Sequence, residues 1–251
     1  MKIIISPAKK MVVDTDSLSF RDMPQFIDKT EELKKILDTM SFTELKELWK
    51  CSDKLAEINT ERLREMNLYK NLTPAIFSYE GIQYQYMAPD VFTADALEYI
   101  QSHLYILSGF YGIVRPFDGV TPYRLEMQSR LSGENFKSLY EFWGKTITDT
   151  ISAETDTIIN LASNEYSKVI SNNISPDIKF ITCFFGELVN GKVKEKGTAC
   201  KMARGEMVRY MAENNITDVE KIKDFQNLGY CFSQELSDEN NFVFVLNRKV
   251  I

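Results

Sequence analysis

The sequence predicts an α/β fold: a single domain, residues 1–251, in which helices surround one mixed sheet. Three observations carry this. KIIIS (2–6) is an apolar, β-branched run that stops at Ser6-Pro7 and reads as a short buried strand. Helical periodicity and capping signals then dominate the first half. The second half changes character, with TIINLA (157–162) and IKFITCFF (178–185) as β-branched and aromatic runs suited to buried strands.

Helical spacing first occupies 24–38. A second helix, 41–50, opens with Ser41 and Glu44 at capping-box separation. A third, about 53–66, has Ser52 or Asp53 as its cap. Thr93 caps a helix expected to run through Ser108, with Gly109 in the C-terminal position. KSLYEFWGKTITDTIS (137–152) reads as one amphipathic helix. ELVNGKVK (187–194) reads as a hairpin about Asn190-Gly191. Helices at 201–214 and 217–224 follow, then strands at 229–236 and 241–247. There is no repeat, low-complexity tract or linker.

At 44% hydrophobic and 12% aromatic, 251 residues bury a substantial core. No apolar stretch reaches bilayer-spanning length, and the three-residue apolar run at the start is too short for a secretory signal. A cytoplasmic location is expected. Cys51, Cys183, Cys200 and Cys231 lack CxxC spacing and read as reduced thiols. Cys200, near Lys196 and Lys201, is the one whose neighbours favour a thiolate. His103 is the sole histidine, which excludes a multi-histidine zinc site, and it reads as structural. No metal or cofactor is expected.

A net charge of −6 argues against a uniformly basic nucleic-acid binder, yet the distribution is uneven. Between Gly191 and Tyr210 six basic residues (Lys192, Lys194, Lys196, Lys201, Arg204, Arg209) face two acids (Glu195, Glu206). On a helix, Lys201, Arg204, Gly205 and Arg209 share one side, which fits either a solvated face or an anion site. There Gly205 either admits a phosphate to the backbone or relieves helix packing.

GFYGIVRPFDGVTPYRLEM (109–127) follows a helix and a Ser-Gly break and is read as a tight glycine hairpin leading to a second helical element, an arrangement that turns backbone amides outward. Arg115 and Arg124 would add charge-assisted contacts to an anion, or Glu126 would neutralise Arg124 as a buried pair. Lys9 and Lys10 follow a strand end, where open α/β sheets place ligand sites. NLASNEY (160–166) likewise leaves a strand, and reads equally as a polar site or a helix N-cap.

Eight blocks then align the chain with a known family: ISPAK (5–9), SDKLAEIN (52–59), LSGFYGIVRPFD (107–118), PYRLEM (122–127), FWG (142–144), NLASNEY (160–166), KMARG (201–205) and LGYCF (228–232). In this order they resemble the YaaA peroxide stress resistance proteins. Lys10 stands where that family commonly has Thr, and Met202 where a second Lys is usual, which removes one positive charge. The resemblance implies an unusual YaaA-type α/β fold in a bacterial cytoplasmic protein. It implies a restraint on unincorporated iron during peroxide stress, and DNA binding through a basic cleft and a helix-hairpin-helix element. Carried onto this chain, the hairpin falls on Ser108, Gly109, Tyr111, Gly112 and Arg115, and the cleft on Lys9, Lys54, Arg115, Arg124, Lys201, Arg204 and Arg209.

Two functions fit. One is a DNA-binding stress protein that contacts the phosphates of duplex DNA, including bent or distorted duplex, largely without regard to sequence. The other is an enzyme acting on a nucleobase, nucleotide or other small anionic substrate, with Glu126 or Glu165 as general acid or base and Lys9 as electrophilic support or nucleophile. Direct iron chelation has little basis in one histidine and no clustered carboxylates, so any effect on iron is expected to be indirect. No membrane contact is expected, and the sequence assigns no oligomeric state.

Overall fold

The computed structural model describes residues 1–16 and 18–247; the end of the expected 1–251 domain, 248–251, lies outside the described residues. Strands β1 (Lys2–Ile5) and β2 (Lys10–Met11) lead into helices α1 (Ile27–Thr39), α2 (Phe42–Trp49) and α3 (Asp53–Glu65). The short pieces β3 (Thr73–Pro74), α4 (Ala75–Ser78), β4 (Tyr79–Glu80) and α5 (Ile82–Met87) precede α6 (Ala94–His103). Then come β5 (Leu104–Ser108), β6 (Gly112–Val114), β7 (Gly119–Val120), α7 (Leu139–Trp143) and α8 (Thr146–Ser152). The second half adds β8 (Thr157–Leu161), α9 (Asn164–Ser171), β9 (Lys179–Val189), β10 (Lys192–Lys194), α10 (Gly197–Glu213), β11 (Tyr230–Phe232) and β12 (Asn241–Leu246).

The main sheet runs β11-β12-β9-β8-β1-β5-β6, with β10 paired to β9. Its centre is parallel, from β12 through β9, β8 and β1 to β5, and antiparallel β11 and β6 close the two edges. This is the expected single mixed α/β domain, a central mixed sheet surrounded by helices. β1 is central and covered on both faces, which is why Ile3, Ile4 and Ile5 are consecutive apolar residues with no exposure. The Ser41–Glu44 capping box forms as predicted, and Thr93 caps α6 through the Ala96 amide. Among the described residues no helix is long and apolar enough to cross a membrane.

Four expectations give way. The helix from Thr93 ends at His103, because the continuous apolar run LYILS is fully buried and pairs with β1. Gly109 therefore lies in a turn between antiparallel strands, so the segment is a strand-turn-strand hairpin and not helix-hairpin-helix. The 137–152 helix is broken at Gly144, whose φ of +46° stops α7 before α8 begins. The segment from Val219 to Asp224 is a 3-10 helix.

Candidate functional site

β1 and β8 are parallel and end together, Ile5 opposite Leu161. Their exits are tied by Ser6, whose Oγ accepts the Ser163 amide (2.8 Å) and lies 3.2 Å from Ser163 Oγ. Tyr84 donates its hydroxyl to the Ser6 carbonyl at 3.0 Å. A cavity of about 420 Å³ opens at this carboxyl end of the sheet, where open α/β sheets place their ligands. Ser6, Pro7, Ala8 and Lys9 line it from the β1 exit, and Gly81, Ile82, Gln83 and Tyr84 from α5. Ser163, Glu165 and Tyr166 come from the start of α9, and Lys201 and Arg204 from α10. Lys10 stands at the mouth, paired with Glu80 at 2.8 Å.

Beside the cavity, sharing Lys9 and Tyr166 with it, is a crevice that holds Arg124 and Glu126. Gly109 places this strip: a Cβ there would meet the Leu125 carbonyl oxygen at 2.5 Å, so only glycine lets the hairpin lie against 125–127. Glu126 Oε1 sits 3.0 Å from Arg124 Nε and 3.6 Å from Lys9 Nζ. Glu165 is held by the Gln128 amide at 3.4 Å. Its pKa is raised above the ordinary carboxylate value by burial; the Gln128 hydrogen bond opposes this, and the nearby Glu126 carboxylate reinforces it. Under the crevice the Tyr123 hydroxyl bridges Ser108 Oγ (2.6 Å) and Tyr79 (2.9 Å), and burial pushes its pKa up to about 12. These hydroxyls are hydrogen-bonding groups at neutral pH and not bases.

Of the residues proposed from sequence, Lys9, Glu126, Glu165, Arg124, Lys201 and Arg204 are brought to this end of the sheet. Arg115 is not. It pairs with Glu154 at 2.8 Å, and Glu154 also holds Lys2 at 2.6 Å, at the opposite end of β1. Four residues of strand, roughly 13 Å, separate that end from Ser6. Lys54 is exposed on α3 and Arg209 pairs with Glu213 along α10; neither lines the cavity.

The hairpin amides expected to face an anion point inward. Those of Phe110 and Tyr111 donate to Ser108 Oγ at 3.1 and 2.9 Å, and both residues are fully buried. Gly112 serves packing: its φ is +74° and a Cβ would lie 2.7 Å from the Trp143 ring. Gly205 likewise serves packing, since its Cβ would meet the Gln83 carbonyl oxygen at 2.1 Å where α10 crosses α5. Cys200 donates to Glu195 at 3.0 Å and burial pushes its pKa up to about 12, the reverse of a reactive thiolate. His103 stacks on Tyr99 with centroids 4.3 Å apart, a structural role.

The sequence reading missed Gly81, Gln83 and Tyr84. Gln83 and Tyr84 lie on, and Gly81 just before, a six-residue helix too short to show periodicity, and no motif marks them. Among the described residues no three His, Cys, Asp or Glu side chains converge to hold a metal. Lys9, Lys10, Lys201 and Arg204 line the cavity together with Glu80 and Glu165, which suits an anion or a polar ring.

The profile of a family described as peroxide stress protein YaaA matches residues 1–236. A UPF0246 protein of Lachnoclostridium phytofermentans is 54% identical over 98% of this chain and 96% of its own length. UPF0246 proteins of Desulfitobacterium hafniense and Pediococcus pentosaceus are 51% and 49% identical, each over 98% of both chains. The chain therefore belongs to the peroxide stress protein YaaA family, a membership that supports a role in the peroxide stress response.

Proposed function

We propose that the chain serves the peroxide stress response as a DNA-binding protein that grips duplex phosphates at the mouth of this cavity. The observation that carries the reading is that three lysines from two separate segments line one cavity: the adjacent Lys9 and Lys10 beyond β1, and Lys201 on α10. All three are exposed. Lys9 and Lys10 each have an acid partner, but side chains 64% and 69% exposed hold such partners weakly, by about 0–1 kcal/mol, and exchange them for phosphate readily. Arg124 and Arg204, each 11% exposed, are committed to Glu126 and Glu195 and act as scaffold for the rim. Any restraint on iron then works through protected DNA and needs no iron ligand.

A second reading is supported by Glu165 in the cavity and Glu126 in the crevice beside it, with Lys9 common to both. Phosphate binding alone does not require two acids there, and an acid–base pair beside a lysine fits chemistry on a small anionic substrate. One experiment addresses both: a salt titration of binding to linear, bent and gapped duplexes, with the DNA inspected afterwards. Three phosphate contacts predict a log K against log salt slope of about −3 for duplex. Salt-insensitive binding would remove the first reading, and altered DNA would favour the second.

A further inference from the structure

Beneath the lysine rim the cavity changes character. Its lining includes the largely buried Tyr84 and Tyr166 and Pro7, together with the polar groups of Gln83, Ser163 and Glu165. Gln83 reaches the Leu161 carbonyl only at 3.5 Å, the outer limit of a hydrogen bond, so its amide retains donor capacity for a ligand. A plain phosphate site needs none of this.

We infer that the cavity is a nucleotide pocket, taking one nucleobase and its sugar below the rim with the phosphate at Lys9 and Lys201. The volume, about 420 Å³, lies toward the small end of the range of roughly 300–1,000 Å³ for small-ligand sites. It is large enough for a single nucleotide. Tyrosine rings in the lining suit a flat heterocycle, since any base can stack on an aromatic ring. A base edge carries donors and acceptors side by side, and here it meets an amide, a hydroxyl and a carboxyl. Glu165, raised in pKa by its burial, can accept from a ring N–H or exocyclic amine when ionised. A sugar phosphate would leave the aromatic walls unused, and a divalent cation would meet Lys9, Lys201 and Arg204. The same chemistry has two sources: a free nucleoside monophosphate, or a nucleotide turned out of a strand at an unpaired position. The inference rests on the reading of the rim as a phosphate contact.

The test compares, by calorimetry, inorganic phosphate with nucleoside 5′-monophosphates, and a fully paired duplex with one carrying a single unpaired nucleotide. The unsubstituted protein is measured beside Ile82→Trp and Ala8→Trp, which fill the cavity from two part-exposed wall positions. Their urea midpoints establish that they are folded. The pocket predicts at least a tenfold preference for a monophosphate over phosphate, or for the unpaired duplex over the paired one. Either filling variant that folds should abolish that preference while keeping its affinity for paired duplex. A preference confined to the monophosphates makes the free nucleotide the source; one confined to the unpaired duplex makes it the strand. Equal affinities in both comparisons, or a preference that survives filling, would overturn the inference. Monophosphate binding without duplex binding would overturn the DNA reading of the rim and leave the pocket standing.

Discussion

Glu126 holds Arg124: its Oε1 lies 3.0 Å from Arg124 Nε, and the two side chains are only 12% and 11% exposed. The Nε–H is directed off the carboxylate, so the attraction is Coulombic and not an aligned hydrogen bond. The pairing answers a question that the sequence left open, because an arginine with Glu126 at its side is not free to take phosphate. It also leaves Lys9, 3.6 Å away on the solvent side, as the exposed cation of the set.

The two halves of this pair should not cost the same to remove. Glu126→Ala strands Arg124 as an uncompensated buried charge and is expected to cost about 3 kcal/mol or more. Arg124→Ala leaves Glu126 beside Lys9 and should cost clearly less. Urea unfolding of the two variants checks the order.

Gly205→Ala should destabilise the protein by at least about 3 kcal/mol, although alanine favours an isolated helix by about 1 kcal/mol. The added methyl has no room 2.1 Å from the Gln83 carbonyl oxygen, so α10 and α5 must separate. Gln83 lines the cavity, and ligand binding should weaken together with the loss in urea midpoint.

Asp118 should set a pH dependence of stability. Its Oδ2 accepts the Arg115 amide at 2.8 Å, and burial raises its pKa to about 7, opposed by Arg115 and reinforced by Asp22. The unfolded carboxyl titrates near pH 4, so between about pH 4 and 7 the folded chain binds more protons than the unfolded one. Stability is therefore greatest at the acid end of this window and falls as pH rises through it, by on the order of a few kcal/mol. Asp118→Asn keeps an acceptor for the Arg115 amide and loses the charge, so its stability should be flat in this window where the wild type declines. Thermal melts at pH 5 and pH 8 read the difference.

The thiols should react in two classes. Cys51 and Cys231 are partly exposed, whereas Cys183 and Cys200 are buried with pKa values pushed up to about 12. A disulfide thiol reagent at pH 7 should titrate the first two in the native protein and the second two only on unfolding. Fast reaction at Cys200 would contradict the burial and the Glu195 contact.

Much of this fold is legible in the sequence because its central strands are unbroken β-branched runs with breakers on either side, as at KIIIS before Pro7. LYILS misleads for a definite reason. It continues from a helix without a breaker, and a short apolar run looks the same in a buried helix as in a buried strand. Taken as helix, this run makes the β5–β6 hairpin resemble the first half of a helix-hairpin-helix. The site was readable where polar residues leave strand ends, as at Lys9 and Glu165. It was not readable for Arg115, since which end of the sheet a residue reaches depends on strand direction. β6 runs back from the hairpin toward Lys2 and carries Arg115 away from the cavity.

The central claim is that phosphate is met at the Lys9–Lys201 rim and not at Arg115. Duplex affinity measured at two salt concentrations for Lys9→Ala, Lys201→Ala and Arg115→Ala tests it most directly. Each lysine variant should bind more weakly across unrelated sequences and lower the salt slope by about 1, with Arg115→Ala indistinguishable from wild type. Loss of affinity in Arg115→Ala with full affinity in both lysine variants would contradict the account.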